Sequence, residues 1–341
     1  LTGDLPVLNF EVKSKFGNYN VEFCSIDTIN IAEIGTHFII DKTVVDYYNI
    51  NLNNAIIINA NESEKSYQAA DSIIDTLVKM NMRRDSHLIA IGGGITQDIT
   101  CWIASTFMRG IPWSFVPTTL LAQTDSCIGS KSSINFNQYK NLLGTFNPPR
   151  NVYIDNKFRN TLENRDIKSG LSELIKLMII NKCDKKEIFK VASSRPVTDD
   201  HIAKALLIKK YFIEADEFDK GIRNLLNYGH CFGHAIESAS NYNIPHGIAV
   251  AMGMDLANAL TNKEWYDKYH SILYILYAEF LDILNNIELD KVFEAMNKDK
   301  KNVGGKLSII APTNFGLEKQ QFINDFKFRT KCIDIFKMLK D

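Results

Sequence analysis

The chain has 341 residues, with 39 basic and 40 acidic side chains and a formal net charge of −1. That balance excludes the basic excess that grips a nucleic-acid backbone, and 45% apolar against 23% charged residues is a globular mixture and not a disordered one. The length suits two domains, and no run of about 18 apolar residues is present to span a bilayer.

The first residues, Leu1 to Phe10, lack the basic start and apolar core of a signal peptide. Six cysteines lie no closer than 26 residues apart, which reads as reduced thiols in a cytoplasmic protein without membrane or nucleic-acid partners.

Short apolar runs then follow one another: 37–40 (HFII), 55–58 (AIII), 87–91 (HLIAI), 113–116 (WSFV) and 152–154 (VYI). Separated by helix-like stretches, they predict parallel strands with crossover helices. The spacing of Ala69, Ile73, Ile74, Leu77 and Val78 predicts an amphipathic helix over 66–80. From Asp166 onward the apolar spacing turns helical, as in Leu171, Leu174, Ile175, Met178 and Ile179, so a domain boundary is expected near 155–165.

Four constellations carry chemistry. Gly92, Gly93 and Gly94 follow the third apolar run; a plain strand-to-helix turn needs one glycine, whereas three permit close approach to a phosphate at a helix N-terminus. Residues 116–125 place threonines and Asp125 after the next strand, with Lys131, Lys140 and Asn141 beyond, at the strand end where open α/β sheets bind ligands. His230, His234 and His246 gather three of seven histidines within 17 positions. Neutral imidazoles with a carboxylate suit Zn²⁺, but spacing leaves open which two would bind it. Lys176 lies three after Glu173 on one helix face, and with Lys209 or Lys210 and Arg223 it offers cations for an anionic substrate.

Seven stretches occur in one order: GGGITQD, FMRG, VPTTLLAQTDSCIGSK, KNLLG, GLSELIK, RNLLNYGHCFGHAIE and PHGIAVAMGM. Together they resemble the 3-dehydroquinate synthase family, the sugar phosphate cyclases, over roughly residues 41–307. The resemblance implies an α/β N-terminal Rossmann-like NAD-binding domain over 1–158 and an all-α C-terminal metal- and substrate-binding domain over 159–341, in a homodimer. It implies NAD on Asp41, Glu62, Lys65, Gly93, Gly94, Asp98, Thr118, Thr119, Lys140 and Thr161. It implies Zn²⁺, or Co²⁺, on Glu173, His230 and His246, leaving His234 for catalysis. The substrate pocket would use Arg109, Asp125, Lys131, Asn141, Lys176, Lys209, Arg223, Asn227 and a lysine of the 299–301 segment, Lys301. Lys209 is preferred to Lys210 because it lies fourteen before Arg223, the family's spacing.

The implied reaction takes 3-deoxy-arabino-heptulosonate 7-phosphate to 3-dehydroquinate and phosphate. A secondary alcohol is transiently oxidised by NAD⁺, phosphate leaves by β-elimination, the hydride returns, and an internal aldol step closes the ring. This is a lyase step of aromatic amino-acid biosynthesis. Departures from the family pattern fall at Ser130, Ser132, Ser133, Pro148, Ile248 and the 61–65 loop. Arg223, Asn227 and His234 match the dehydroquinate type, while 134–136 (INF) looks more like the valiolone type. Another sugar phosphate cyclase (valiolone-type, deoxy-inosose-type or amino-dehydroquinate) is therefore the alternative reading. A metal-dependent polyol dehydrogenase and a non-catalytic NAD module are the more distant ones.

Overall fold

The structure, a computed structural model, describes residues 8–28, 35–137, 139–298 and 305–340. In chain order its elements are β1 (Phe10–Val12), β2 (Tyr19–Phe23), β3 (Thr36–Asp41), α1 (Lys42–Tyr48), β4 (Ala55–Ile58), α2 (Tyr67–Lys79), β5 (His87–Gly92), α3 (Gly94–Thr106), β6 (Trp113–Pro117), β7 (Lys131–Phe136), β8 (Tyr139–Phe146) and β9 (Asn151–Ile154). There follow α4 (Asn164–Ile180), α5 (Lys185–Ala192), α6 (Asp199–Ala215), α7 (His230–Ala239), α8 (His246–Thr261), α9 (Lys263–Tyr277), α10 (Leu281–Asn285), α11 (Leu289–Asn297), β10 (Lys306–Thr313), β11 (Gly316–Ile323) and α12 (Phe326–Lys340).

The chain forms two compact units, one of Leu1–Glu163 with Ile202–Phe218, the other of Asn164–His201 with Asp219–Asp341. A single boundary after residue 158 is therefore not what the structure has: 202–218, most of α6, returns to the first unit. Polar contacts bind it there. Glu214 accepts from the Lys13 amide at 2.8 Å, and Glu217 accepts from the Ser14 hydroxyl at 2.5 Å and the Lys15 amide at 2.9 Å.

The first unit is built on a sheet of order β1-β2-β9-β6-β5-β3-β4. Every pairing is parallel except β1 with β2. The five predicted strands are β3, β4, β5, β6 and β9. Uniform burial of β5 and β6 accounts for their unbroken apolar runs, because helices cover both faces of such strands. Phe38, Ile40, Ile89, Ile91, Val116 and Phe158 share one core cluster. The predicted amphipathic helix is α2, capped by the Ser66 hydroxyl on the Ala69 amide. From β3 the chain moves outward to β4 and then back past β3 to β5 and β6. The crevice beyond the carboxyl ends of β3 and β5 is thus the topological switch point of the sheet.

His87, at the start of β5, shares a 2.9 Å hydrogen bond with the Ser114 hydroxyl. Burial, and then the positive Arg150, push its pKa down to about 4. The unfolded chain therefore takes up the proton first, so the contribution of His87 to stability is complete above pH ~6.5 and is lost as pH falls toward 4. Over that window the wild type is expected to lose about 1–2 kcal/mol more stability than a His87→Gln variant, allowing for partial solvent screening. Parallel denaturation profiles against pH would contradict this.

The second unit centres on α8, buried along nearly its whole length and apolar almost all round. Its polar exceptions are paired: Asp255 accepts from the Tyr277 hydroxyl at 2.7 Å and meets His270 Nδ1 at 2.6 Å, and Asn258 accepts from the Tyr228 hydroxyl. The helical character expected of this domain is present, and the all-α reading omits one element, the antiparallel hairpin β10–β11. A short buried run such as that of β10 cannot be told from a helix segment by periodicity alone. Among the described residues no helix is long and apolar enough to cross a membrane.

Candidate active site

In the first unit, Asp41 ends β3 and caps α1, its carboxylate accepting from the Thr43 amide at 2.9 Å. Gly92 ends β5, Gly93 is the N-cap of α3 and Gly94 its first residue. Thr118 donates its amide to the Gly92 carbonyl at 2.9 Å, and a Cβ on Gly93 would stand 3.0 Å from the Thr119 methyl. The glycines thus leave the N-terminus of α3 without a side-chain cap, the kind of helix start that can receive a phosphate. Thr161 shares a 2.8 Å hydrogen bond with the Tyr48 hydroxyl.

A second set of the predicted residues is woven together nearby in the chain fold. Lys65 pairs with Asp98 and donates to Asn141 Oδ1 at 2.7 Å, and Lys140 pairs with Glu62 at 3.1 Å. Burial raises the pKa of Asp98, while Lys65 and the Ser133 amide favour its charged form. Lys209 pairs with the Asp125 carboxylate at 2.6 Å and also donates to its carbonyl, whereas Lys210 faces Glu214. Lys131 and Arg109 are exposed, and Arg109 has a φ of +67°. Ser130, one of the departures, has a φ of +63°, a region that favours glycine, and its hydroxyl donates to Glu217.

In the second unit, Glu173 (α4), His230 (first residue of α7) and His246 (first residue of α8) converge. Glu173 Oε1 lies 3.7 Å from His230 Nε2 and 3.5 Å from His246 Nε2, and its other oxygen faces the Lys176 ammonium. Glu173 is fully buried and Lys176 is 1% exposed. Ligand atoms of His230, His234 and His246 lie within 4.8 Å of one another.

The convergence depends on backbones in close approach. A Cβ on Gly247 would stand 1.9 Å from the Ser169 carbonyl oxygen, and one on Gly253 would stand 2.0 Å from the Gly229 carbonyl oxygen. Those two glycines let α8 lie against α4 and the start of α7, and Gly247 also donates its amide to the Ser169 hydroxyl at 3.0 Å.

These donors fit a divalent ion. Tetrahedral Zn²⁺ ligands about 2.0–2.1 Å from the metal stand about 3.4 Å apart, close to the two carboxylate–imidazole spacings. Those spacings are long for charge-assisted hydrogen bonds. The ring partners also fit: His230 Nδ1 lies 3.1 Å from the Tyr228 carbonyl and His246 Nδ1 lies 3.0 Å from Glu237 Oε2, leaving both Nε2 atoms toward Glu173. Burial would push the His246 imidazole down, but hydrogen bonds with Glu173 and Glu237 outweigh it and push it up to about 10.

Arg223 is buried in the short turn Ile222–Asn227, and Asn227 at its end donates to the Asn224 carbonyl. His234 is exposed. Lys301 lies outside the described residues. The expected site residues therefore fall into two sets. Arg109, Asp125, Lys131, Asn141 and Lys209 join the dinucleotide set in the first unit, and Lys176, Arg223, Asn227 and His234 join the metal set in the second. Sequence reasoning missed Glu237, although it stands three residues after His234 on the same helix face, and it missed Glu217.

The chain matches the family models for the 3-dehydroquinate synthase N-terminal region over residues 55–169 and C-terminal region over 170–302. A 3-dehydroquinate synthase of Dictyoglomus turgidum is 39% identical over 300 residues, 84% of this chain and 82% of that protein. One of Dictyoglomus thermophilum is 35% identical, covering 98% and 94%. Among solved structures, a 2-deoxy-scyllo-inosose synthase complexed with carbaglucose-6-phosphate, NAD⁺ and Co²⁺ superposes with a TM-score of 0.80 at 22% identity, over 97% of this chain and 99% of that one. A 2-epi-5-epi-valiolone synthase from Streptomyces hygroscopicus with NAD⁺ and Zn²⁺ bound gives 0.76 at 22% identity, over 96% and 98%.

Proposed function

The chain belongs to the 3-dehydroquinate synthase family, and from that premise we propose that it is an NAD- and Zn²⁺-dependent cyclase that converts 3-deoxy-arabino-heptulosonate 7-phosphate to 3-dehydroquinate and phosphate. The observation that carries the reading is the buried Glu173 carboxylate with two imidazole nitrogens at 3.5 and 3.7 Å from one oxygen and a buried lysine on the other.

Glu173, His230 and His246 would hold the ion, and the switch-point residues with Glu62, Lys65, Asp98 and Lys140 would hold the dinucleotide. When bound, these groups supply Lewis acidity and reversible hydride acceptance. The chain's own residues do the rest. The buried guanidinium of Arg223 suits a carboxylate, which it can grip with two parallel N–H donors. Lys131, Lys209 and Arg109 provide positive charge for the phosphate, and Lys176 offsets the charge on Glu173. Asn141 and Asn227 orient hydroxyls. His234 is the exposed imidazole of the cluster and can take up or release a proton at a ring nitrogen. Such preorganised charges act most strongly where water is excluded.

The test is phosphate release with NAD⁺ and Zn²⁺ present, offered three substrates: the heptulosonate phosphate, sedoheptulose 7-phosphate and glucose 6-phosphate. Turnover of the first, with no net change in nicotinamide absorbance, is expected. Preference for either of the others moves the chain to a sister cyclase. Steady NADH accumulation without phosphate release would make it a polyol dehydrogenase.

A further inference from the structure

Within the first unit, the loop 61–66 and the hairpin β7–β8 carry Glu62, Lys65, Lys140 and Asn141, all drawn into the proposed site. One side chain joins the two segments on every side. Asn135, near the end of β7, donates its amide to Glu62 Oε1 at 2.9 Å and to the Glu62 carbonyl at 3.3 Å. Its own carbonyl oxygen accepts from the Asn141 amide at 2.8 Å, and its backbone N–H donates to the Lys65 carbonyl at 2.8 Å. Ser66 and Asn135 also form an isolated parallel bridge. Asn141 has a φ of +50°, a left-handed conformation that needs local support in a non-glycine residue.

We propose that Asn135 is a positioning residue that sets dinucleotide affinity, holding Glu62 and Lys65 of the loop in register with Lys140 and Asn141 of the hairpin. This rests on the reading that those residues face the dinucleotide. A carboxamide meets the geometry, with both donor contacts on its nitrogen and the acceptor on its oxygen. The site needs a donor toward the Glu62 carboxylate and an acceptor toward the Asn141 amide in one short side chain; aspartate supplies only the acceptor, and an apolar residue neither. Without Asn135, Glu62 is joined to the hairpin by its Lys140 pair, in which both side chains are 36% exposed and which contributes little.

The experiment is NAD⁺ titration by intrinsic fluorescence for the wild type, Asn135→Asp, Glu62→Gln and the double variant. Asn135→Asp is isosteric, keeps the bond from Asn141 and sets a carboxylate against Glu62. We expect it to weaken NAD⁺ binding about tenfold. In the Glu62→Gln background the same change should cost less than about threefold, because the carboxamide introduced at position 62 can donate to the new carboxylate. A general disturbance of the fold would not depend on residue 62. In turnover, KM for NAD⁺ should rise with kcat little changed. Equal penalties in both backgrounds, or a loss confined to kcat, would overturn the proposal. Failure of the wild type to bind NAD⁺ would instead remove the functional reading beneath it.

Discussion

Gly247→Ala is expected to lower the thermal midpoint by several degrees and to abolish stoichiometric divalent metal. The added methyl would stand 1.9 Å from the Ser169 carbonyl oxygen and 2.7 Å from its carbon. Those atoms are backbone and cannot rotate away, so α8 must retreat from α4 by more than about 1 Å, beyond ordinary overpacking costs of about 1–3 kcal/mol. The shift would carry His246, one residue earlier, away from Glu173. Metal sites tolerate ligand displacements of only about 0.2 Å. Calorimetry and metal analysis after dialysis would check both effects. A variant with the wild-type midpoint and full metal would show that α4 and α8 do not lie so close.

His246→Ala should bring phosphate release to background and weaken metal binding by more than about 100-fold, since even loss of a partner behind a ligand costs about 10–100-fold. The substitution removes the nitrogen 3.5 Å from Glu173 and also leaves Glu237 without its imidazole. His234→Ala is the informative companion. It should keep the ion and lose about 10²–10⁴ in turnover if that ring moves protons. Retention of stoichiometric zinc by the first variant, with loss by the second, would exchange the two histidines' roles.

Legibility in the sequence followed the physics of each segment. β3, β4, β5, β6 and β9 were readable because parallel strands between helices are apolar throughout. β1 and β2 were not: β1 has only three residues, and β2 exposes one face, as its buried–exposed–buried start shows, so neither forms an unbroken apolar run. The β7–β8 hairpin carries two lysines, serines and asparagines among its apolar residues, and that composition hid it. The histidine cluster was visible as a local excess, but Glu173 lies 57 residues before His230, and only the family resemblance joined them; local spacing left open which two of the three histidines belong together. Glu237 and Asn135 were missed for a common reason: each acts through a neighbour, and their signal is a contact that no one-dimensional spacing encodes.

The return of 202–218 to the first unit also has a bearing on how the protein is made. A nascent chain leaves the ribosome N-terminus first. The parallel sheet can therefore assemble its strands well before the unit is finished, because the partner of Asp125 and the acceptor for Ser14, Lys15 and Ser130 emerge only with Lys209 and Glu217. For as long as the 38 intervening residues are being synthesised, the first unit must wait for residues 202–218. A nonsense codon between Glu163 and Ile202 would leave it without that segment.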